Sequence, residues 1–225
     1  MPRISAATNA AQRENTKRAI LDSFGQLLYR QGLTGLTMTH VAKNAGVGRT
    51  AVYNYFADMG ELLVAYALDE TERFMTDLRR DLEGVANPVD RLAVYIRAQI
   101  EDLTRRHLPP GPTMRTVLSP EDYQKLGEHV GELQGLLAAI LRDAIGRAYL
   151  PEGDISELAA LVHGSLTAAA DRGQNSDQDR AAREQHIRST VRFIQQGLGA
   201  QFDAGGHPVP LASERPPLSA VRTPR

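Results

Sequence analysis

Arg49, Thr50 and Asn54 carry groups suited to the edges of nucleic-acid bases. An arginine guanidinium forks onto the O6 and N7 acceptors of guanine, and an asparagine amide pairs with N6 and N7 of adenine. Arg49 and Thr50 open a short helical pattern, and Asn54 follows about one turn later. Upstream, Thr37 stands at the N-cap of another short helix and Thr39 in its opening turn, where hydroxyls can bond phosphate oxygens. Thr37 reads equally well as a simple cap. His40 is expected as an exposed residue beside the same surface.

These side chains act together only if the intervening elements hold them on one face. Val41, Ala42 and Ala45 fall on one side of the first short helix. Gly46 stands where the chain must turn, because glycine takes left-handed dihedrals without steric cost. Val47 re-enters the core, and Val52 with Tyr55 or Phe56 lines the inner face of the second helix. Ala42 is small enough for the two helices to cross closely. This is the spacing of a helix-turn-helix, whose second helix lies in a DNA major groove. The competing reading is an ordinary pair of helices joined by a tight turn.

At these residues the chain resembles the TetR family of bacterial transcriptional repressors. Thr37, Val41-Ala42, Ala45-Gly46-Val47, Val52-Tyr53-Asn54-Tyr55-Phe56 and Glu61-Leu62-Leu63 follow the family's pattern over about a quarter of the chain. The resemblance implies that Tyr53 and Tyr55 bond phosphates through their hydroxyls, although Tyr55 reads equally as core. It also implies that the final two helices pair with their twofold mates as a four-helix bundle, giving a homodimer. One position departs from the pattern. Met59 replaces the lysine that typically touches a DNA phosphate at the head of the fourth helix.

Charge placement agrees with a nucleic-acid partner. Residues 1–57 hold seven basic and two acidic side chains, a net of +5, and the remainder is net −6. A small basic head on an acidic body suits a DNA reader. The 225 residues are 42% hydrophobic, enough for a core, and contain no cysteine, which excludes disulfides and thiolate metal sites. No secretory signal is read at the start, and the longest apolar run, Leu136 to Leu141, is far too short for a bilayer. The expectation is a cytoplasmic protein with no membrane partner.

Along the chain, residues 1–12 read as a disordered arm and 13–59 as the DNA-binding head. Ile20, Leu21, Phe24, Leu27 and Leu28 make a helical stripe that braces the motif and stops at Gly32. Lys17, Arg18 and Arg3 are further phosphate candidates. Residues 60–202 read as a helical ligand-binding and dimerisation body. Its helices run from Gly60 to about Glu83, from Pro88, from Thr113 to Leu118, from Ser119 to about Tyr149, from Asp154, and from about Asp177 to Gly199. Residues 203–225, rich in glycine, proline and arginine, read as a disordered tail. The fold class is all-α, a three-helix head on a larger helical body.

Enzyme motifs are absent. There is no G-x-S-x-G elbow, no Walker A loop and no H-E-x-x-H, and the six histidines never lie four apart on a helix. No cofactor or metal is expected. A body of this size exceeds what DNA reading needs, so a small apolar or amphipathic effector is expected between its helices. Tyr95, Gln99, Met114, Tyr123, His129, His163 and Thr167 lie on or beside apolar faces and are the candidates to line its site. The function so implied is a repressor that binds a palindromic operator on double-stranded DNA and is released by the effector. The alternative is a ligand-independent regulator of architectural or activating type.

Overall fold

The structure, a computed structural model, describes residues 6–105, 111–174 and 180–212. Among these, nine α-helices are followed by one two-stranded ribbon. The all-α expectation holds, with the ribbon as a small addition.

The head begins with α1 (Ala6–Gln31), whose Ile20, Leu21, Phe24 and Leu28 are buried. Gly32, at φ 72°, ends it by donating its N–H to the Leu28 carbonyl at 2.9 Å. Then come α2 (Met38–Ala45) and α3 (Arg49–Tyr53). The first half of α4 (Met59–Leu82) completes the cluster with Leu62, Leu63 and Val64. Asp58 caps α4, accepting from the Glu61 N–H at 2.9 Å, while the Glu61 carboxylate accepts from the Ala57 N–H at 2.6 Å. Such reciprocal pairing satisfies backbone donors that a helix start leaves open. Helices α1 and α4 approach closely at Gly25. A Cβ there would lie 2.7 Å from the Tyr66 ring, which meets Phe24 edge-on at 5.4 Å.

The body packs the rest of α4 with α5 (Pro88–Arg105), α7 (Pro120–Gly146), α8 (Ile155–Gln174) and α9 (Arg180–Gly197). Its cluster includes Leu92, Tyr95, Ile96, Leu137, Leu141, Leu166 and Ile194. Ser119 accepts from the Asp122 N–H at 3.1 Å and Asp154 from the Glu157 N–H at 2.9 Å, so α7 and α8 start where their caps dictate. Gln195 and Arg97 tie α9 to α5. The first donates to the Val89 carbonyl at 2.9 Å, and the second makes a two-pronged bond to Glu184 at 2.8 Å on each arm.

The short α6 (Gly111–Val117) leads the body back to the head. Met114 on α6 and Leu118 just beyond it are buried in the head cluster, with Tyr123 and Leu126 packed beside them. Complete burial of such side chains contributes about 1.5–3 kcal/mol each. Head and body therefore share an apolar seam, besides the continuous helix α4.

Both expected disordered ends need correction. Residues 6–12 of the supposed arm are helix, continuous with α1, and 1–5 lie outside the described residues. Ala6, Ala7, Ala10 and Ala11 are strong helix formers, so the helix extends backwards through them. Likewise 203–212 of the supposed tail are described, whereas 213–225 are not. The strands β1 (Gln201–Phe202) and β2 (Pro208–Val209) pair antiparallel, Gln201 opposite Val209 and Phe202 opposite Pro208. Their turn closes on Asp203, whose carboxylate accepts from the His207 N–H at 2.9 Å, with Gly206 at φ 83°. Arg192 stacks 3.8 Å over the Phe202 ring, and the Leu211 N–H donates to the Ala148 carbonyl at 2.7 Å. Local turn chemistry and two anchors order a segment whose composition suggested otherwise.

Candidate nucleic-acid interface

The helix-turn-helix is built from both ends of its turn. Thr37 accepts from the His40 N–H at 3.3 Å, so its hydroxyl does cap α2. Gly46 adopts φ 69° and ψ 25°, and its N–H reaches the Ala42 and Lys43 carbonyls. Val47 donates to the Ala42 carbonyl at 3.0 Å and turns the chain into α3. Inside, Val41 and Val52 are both wholly buried, and Ser23 of α1 donates to the Val41 carbonyl at 3.0 Å. The polar face is thereby held on a rigid apolar back.

On that face Thr37, Thr39, His40, Arg49, Thr50, Tyr53 and Asn54 are all exposed. Arg49 lies over the Tyr53 ring, 5.5 Å from its centroid, with its Nη2 3.4 Å from the Tyr53 hydroxyl. The guanidinium is aimed along α3 and keeps donors to spare, since a guanidinium carries five. Asn54 is the C-cap of α3, with its amide outward. Tyr55 shares both readings. Its ring packs half-buried against the head cluster beside Phe56, and it also lines a surface cleft of about 660 Å³. The other walls of this cleft are Asn9, Gln12, Arg13 and Thr16 of α1, with Ala51 and Asn54. Met59 is half-buried against the head cluster, an apolar contact where a lysine would have projected.

Arg18 is removed from the phosphate candidates. Both Asp69 carboxylate oxygens accept from its Nη1, at 3.0 and 2.9 Å, fastening α1 to α4. The hydrogen bond to Asp69 is also the main cause of its raised pKa. Lys17 is exposed, and Arg3 lies outside the described residues.

The body candidates do not converge on one place. Tyr95 and Gln99 lie in the core of α5, 0% and 3% exposed, and the Gln99 amide donates to the Tyr95 hydroxyl at 3.3 Å. Burial pushes the Tyr95 phenol up to about 12, against the opposing effect of that bond. Met114 and Tyr123 instead belong to the seam with the head, where Arg115 lies 5.2 Å from the Tyr123 ring centroid. On α8, His163 is half-buried, its Nε2 is buried without a hydrogen-bond partner, and burial lowers its pKa. Thr167 is exposed and donates back to the His163 carbonyl at 3.1 Å, a bond within its own helix. The His129 side chain lies outside the described residues. Thus the seven residues read as one lining divide, where they are described, among the body core, the seam and the α8 surface.

Residues 20–66 match the family model of the bacterial regulatory proteins, tetR family. An uncharacterized HTH-type transcriptional regulator of Haemophilus influenzae is 40% identical over 58 residues. That stretch is 25% of this chain and spans only 28% of the relative. The fold is shared over most of the chain. The fatty acid degradation regulator FadR of Bacillus halodurans superposes with a TM-score of 0.69 at 18% identity, covering 83% of this chain and 97% of its own. The transcriptional regulator FadR of Bacillus subtilis, solved in complex with stearoyl-CoA, gives 0.67 at 19% identity, covering 80% and 98%. No helix among the described residues is long and apolar enough to cross a membrane. Residues 20–66 thus carry the helix-turn-helix of the tetR family of bacterial regulatory proteins, within a fold shared with the two FadR regulators.

Proposed function

We propose that this protein is a transcriptional repressor that binds a palindromic operator as a homodimer and is released by a small apolar or amphipathic molecule. The observation that carries the reading is the exposed row of Thr39, Arg49, Thr50 and Asn54 on a buried Val41–Val52 back. Arg49 and Asn54 read base edges, and Thr37, Thr39, Tyr53 and Tyr55 fix the register by holding phosphates. The dimer is supported by α8 and α9, whose outer faces expose Leu161 and Phe193 at 61% and 67%, beside Ser165 and Ala168. Apolar side chains this exposed, set among small ones, suit a close helix-to-helix contact.

Release is supported by the two links between head and body, α4 and the Met114–Leu118 seam. An effector that favours one body packing would shift α4 and α6, and with them the separation of the two recognition helices. Successive major grooves lie about 34–36 Å apart, so a small change in that separation breaks simultaneous engagement. Linkage requires the operator to weaken effector binding by the same factor. The FadR complex with stearoyl-CoA makes long-chain acyl thioesters the first molecules to screen by thermal shift.

Selection from random duplexes should return an inverted repeat, and light scattering should return a dimer. A strict monomer, or sites without twofold symmetry, overturns the reading. For release, a molecule that binds the body with equal affinity with and without operator would leave the ligand-independent regulator as the better description.

A further inference from the structure

Helix α1 has two polar faces of opposite purpose. Glu14, Arg18 and Asp22 recur every four residues on one of them. That side is consumed by α4. Arg18 bonds Asp69, Arg73 bridges Asp69 at 2.7 Å and Asp22 at 3.5 Å, and Glu14 and Asp22 also act on Arg18. Asn9, Gln12, Arg13 and Thr16 recur at intervals of three and four on the other, where they face the end of α3 across the 660 Å³ cleft. Among the described residues, no carboxylate lines this cleft. Arg13 is exposed and makes no hydrogen bond or ion pair among the described residues.

We propose that this cleft is a second DNA contact, a sugar-phosphate site in which Arg13 neutralises one backbone phosphate that Asn9, Gln12 and the Tyr55 hydroxyl also bond. The inference rests on the DNA-binding reading above and extends it to residues outside the helix-turn-helix. The occupant follows from the chemistry of the walls. Amides, a hydroxyl and an unpaired guanidinium are the groups that hold phosphate and sugar oxygens, and such contacts position a protein without reading sequence. The cleft adjoins Asn54 and Ala51 on α3, so a strand whose bases face Asn54 runs its backbone past α1. Thr16 lines the cleft without bonding the phosphate, since its hydroxyl already donates to the Gln12 carbonyl at 2.9 Å. With methionine at position 59, an extra cation at Arg13 also supplies charge that the head of α4 lacks.

The test is a fluorescence-anisotropy titration of the full chain against its selected operator and an unrelated duplex over a range of salt concentrations. Arg13→Ala should weaken both duplexes by the same factor and make the slope of log affinity against log salt shallower by about 1. Gln12→Lys should steepen it by about 1, a gain that misfolding cannot mimic. Arg30→Ala, at the far end of α1, should match the wild type. An Arg13→Ala slope equal to wild type overturns the site, as does a change in base preference at the operator. If the wild type binds no duplex, the DNA-binding reading falls as well. If it binds normally and only Arg13→Ala is silent, that reading stands without this one.

Discussion

The head and the body of this protein are built from the same element, yet they differ in how far apart their functional residues lie along the chain. In the head, Thr37 to Tyr55 are neighbours in sequence, and their geometry is set by one cap, one left-handed glycine and one buried back. In the body, Tyr95, Met114 and the pair His163 and Thr167 come from three helices, and their positions depend on how those helices pack. The head clusters its candidates, and the body scatters them. A site made by local geometry survives large changes elsewhere in the chain, whereas a site made by packing moves with every core substitution. The family model falls on the head alone, at residues 20–66, and the fold is shared over most of the chain.

The contrast can be broken at its core. Phe24→Ala empties a wholly buried position against Tyr66 and should cost about 3–5 kcal/mol. Because Met114 and Leu118 lie in the same cluster, urea unfolding followed by circular dichroism should show one shifted transition. Two separated transitions would show that the seam does not couple head to body.

Arg49→Ala examines the head's exposed face alone. It should cost about 1–3 kcal/mol of operator binding and relax preference at one base position, with thermal stability unchanged. Binding-site selection with the variant reads this directly, and an unaltered selected site would remove Arg49 from base reading.

His163 examines the body through pH. Burial holds its folded-state pKa below the unfolded value of about 6.5. Between the two values the unfolded chain binds more protons, so stability is fully present above pH ~6.5 and declines as pH falls towards the folded value. His163→Leu should flatten that decline in denaturation curves taken from neutral to mildly acidic pH. It also removes the unpartnered Nε2, so its stability at neutral pH should equal or exceed the wild type.

The smallest effect is expected at Arg18. Its partner Asp69 is mostly buried, but the arginine is 43% exposed, so solvent screens the pair and Arg18→Ala should cost about 0.2–1 kcal/mol. The salt dependence of DNA binding should stay at the wild-type slope. A shallower slope would place Arg18 on DNA rather than on α4.

What the sequence determined by itself is whatever short-range physics controls. Gly46 at a left-handed turn, the caps at Thr37, Ser119 and Asp154, the wholly buried Val41 and Val52, and the helical stripes all follow from spacing and residue type. Composition misjudged the ends. Alanines before Arg13 extend a helix already nucleated downstream, and the turn at Asp203–His207 is ordered by Arg192 on Phe202 and by Leu211 on Ala148, contacts distant in sequence. Only the tertiary structure decided that Arg18 is spent on Asp69 and Arg13 is not. The two lie five residues apart on one helix, and what separates them is which neighbour, α4 or α3, each face meets. The same holds for Met114, which lies in the head cluster because α6 folds back onto the head. Periodicity says which residues leave water, and the partner that receives them is fixed by helix packing.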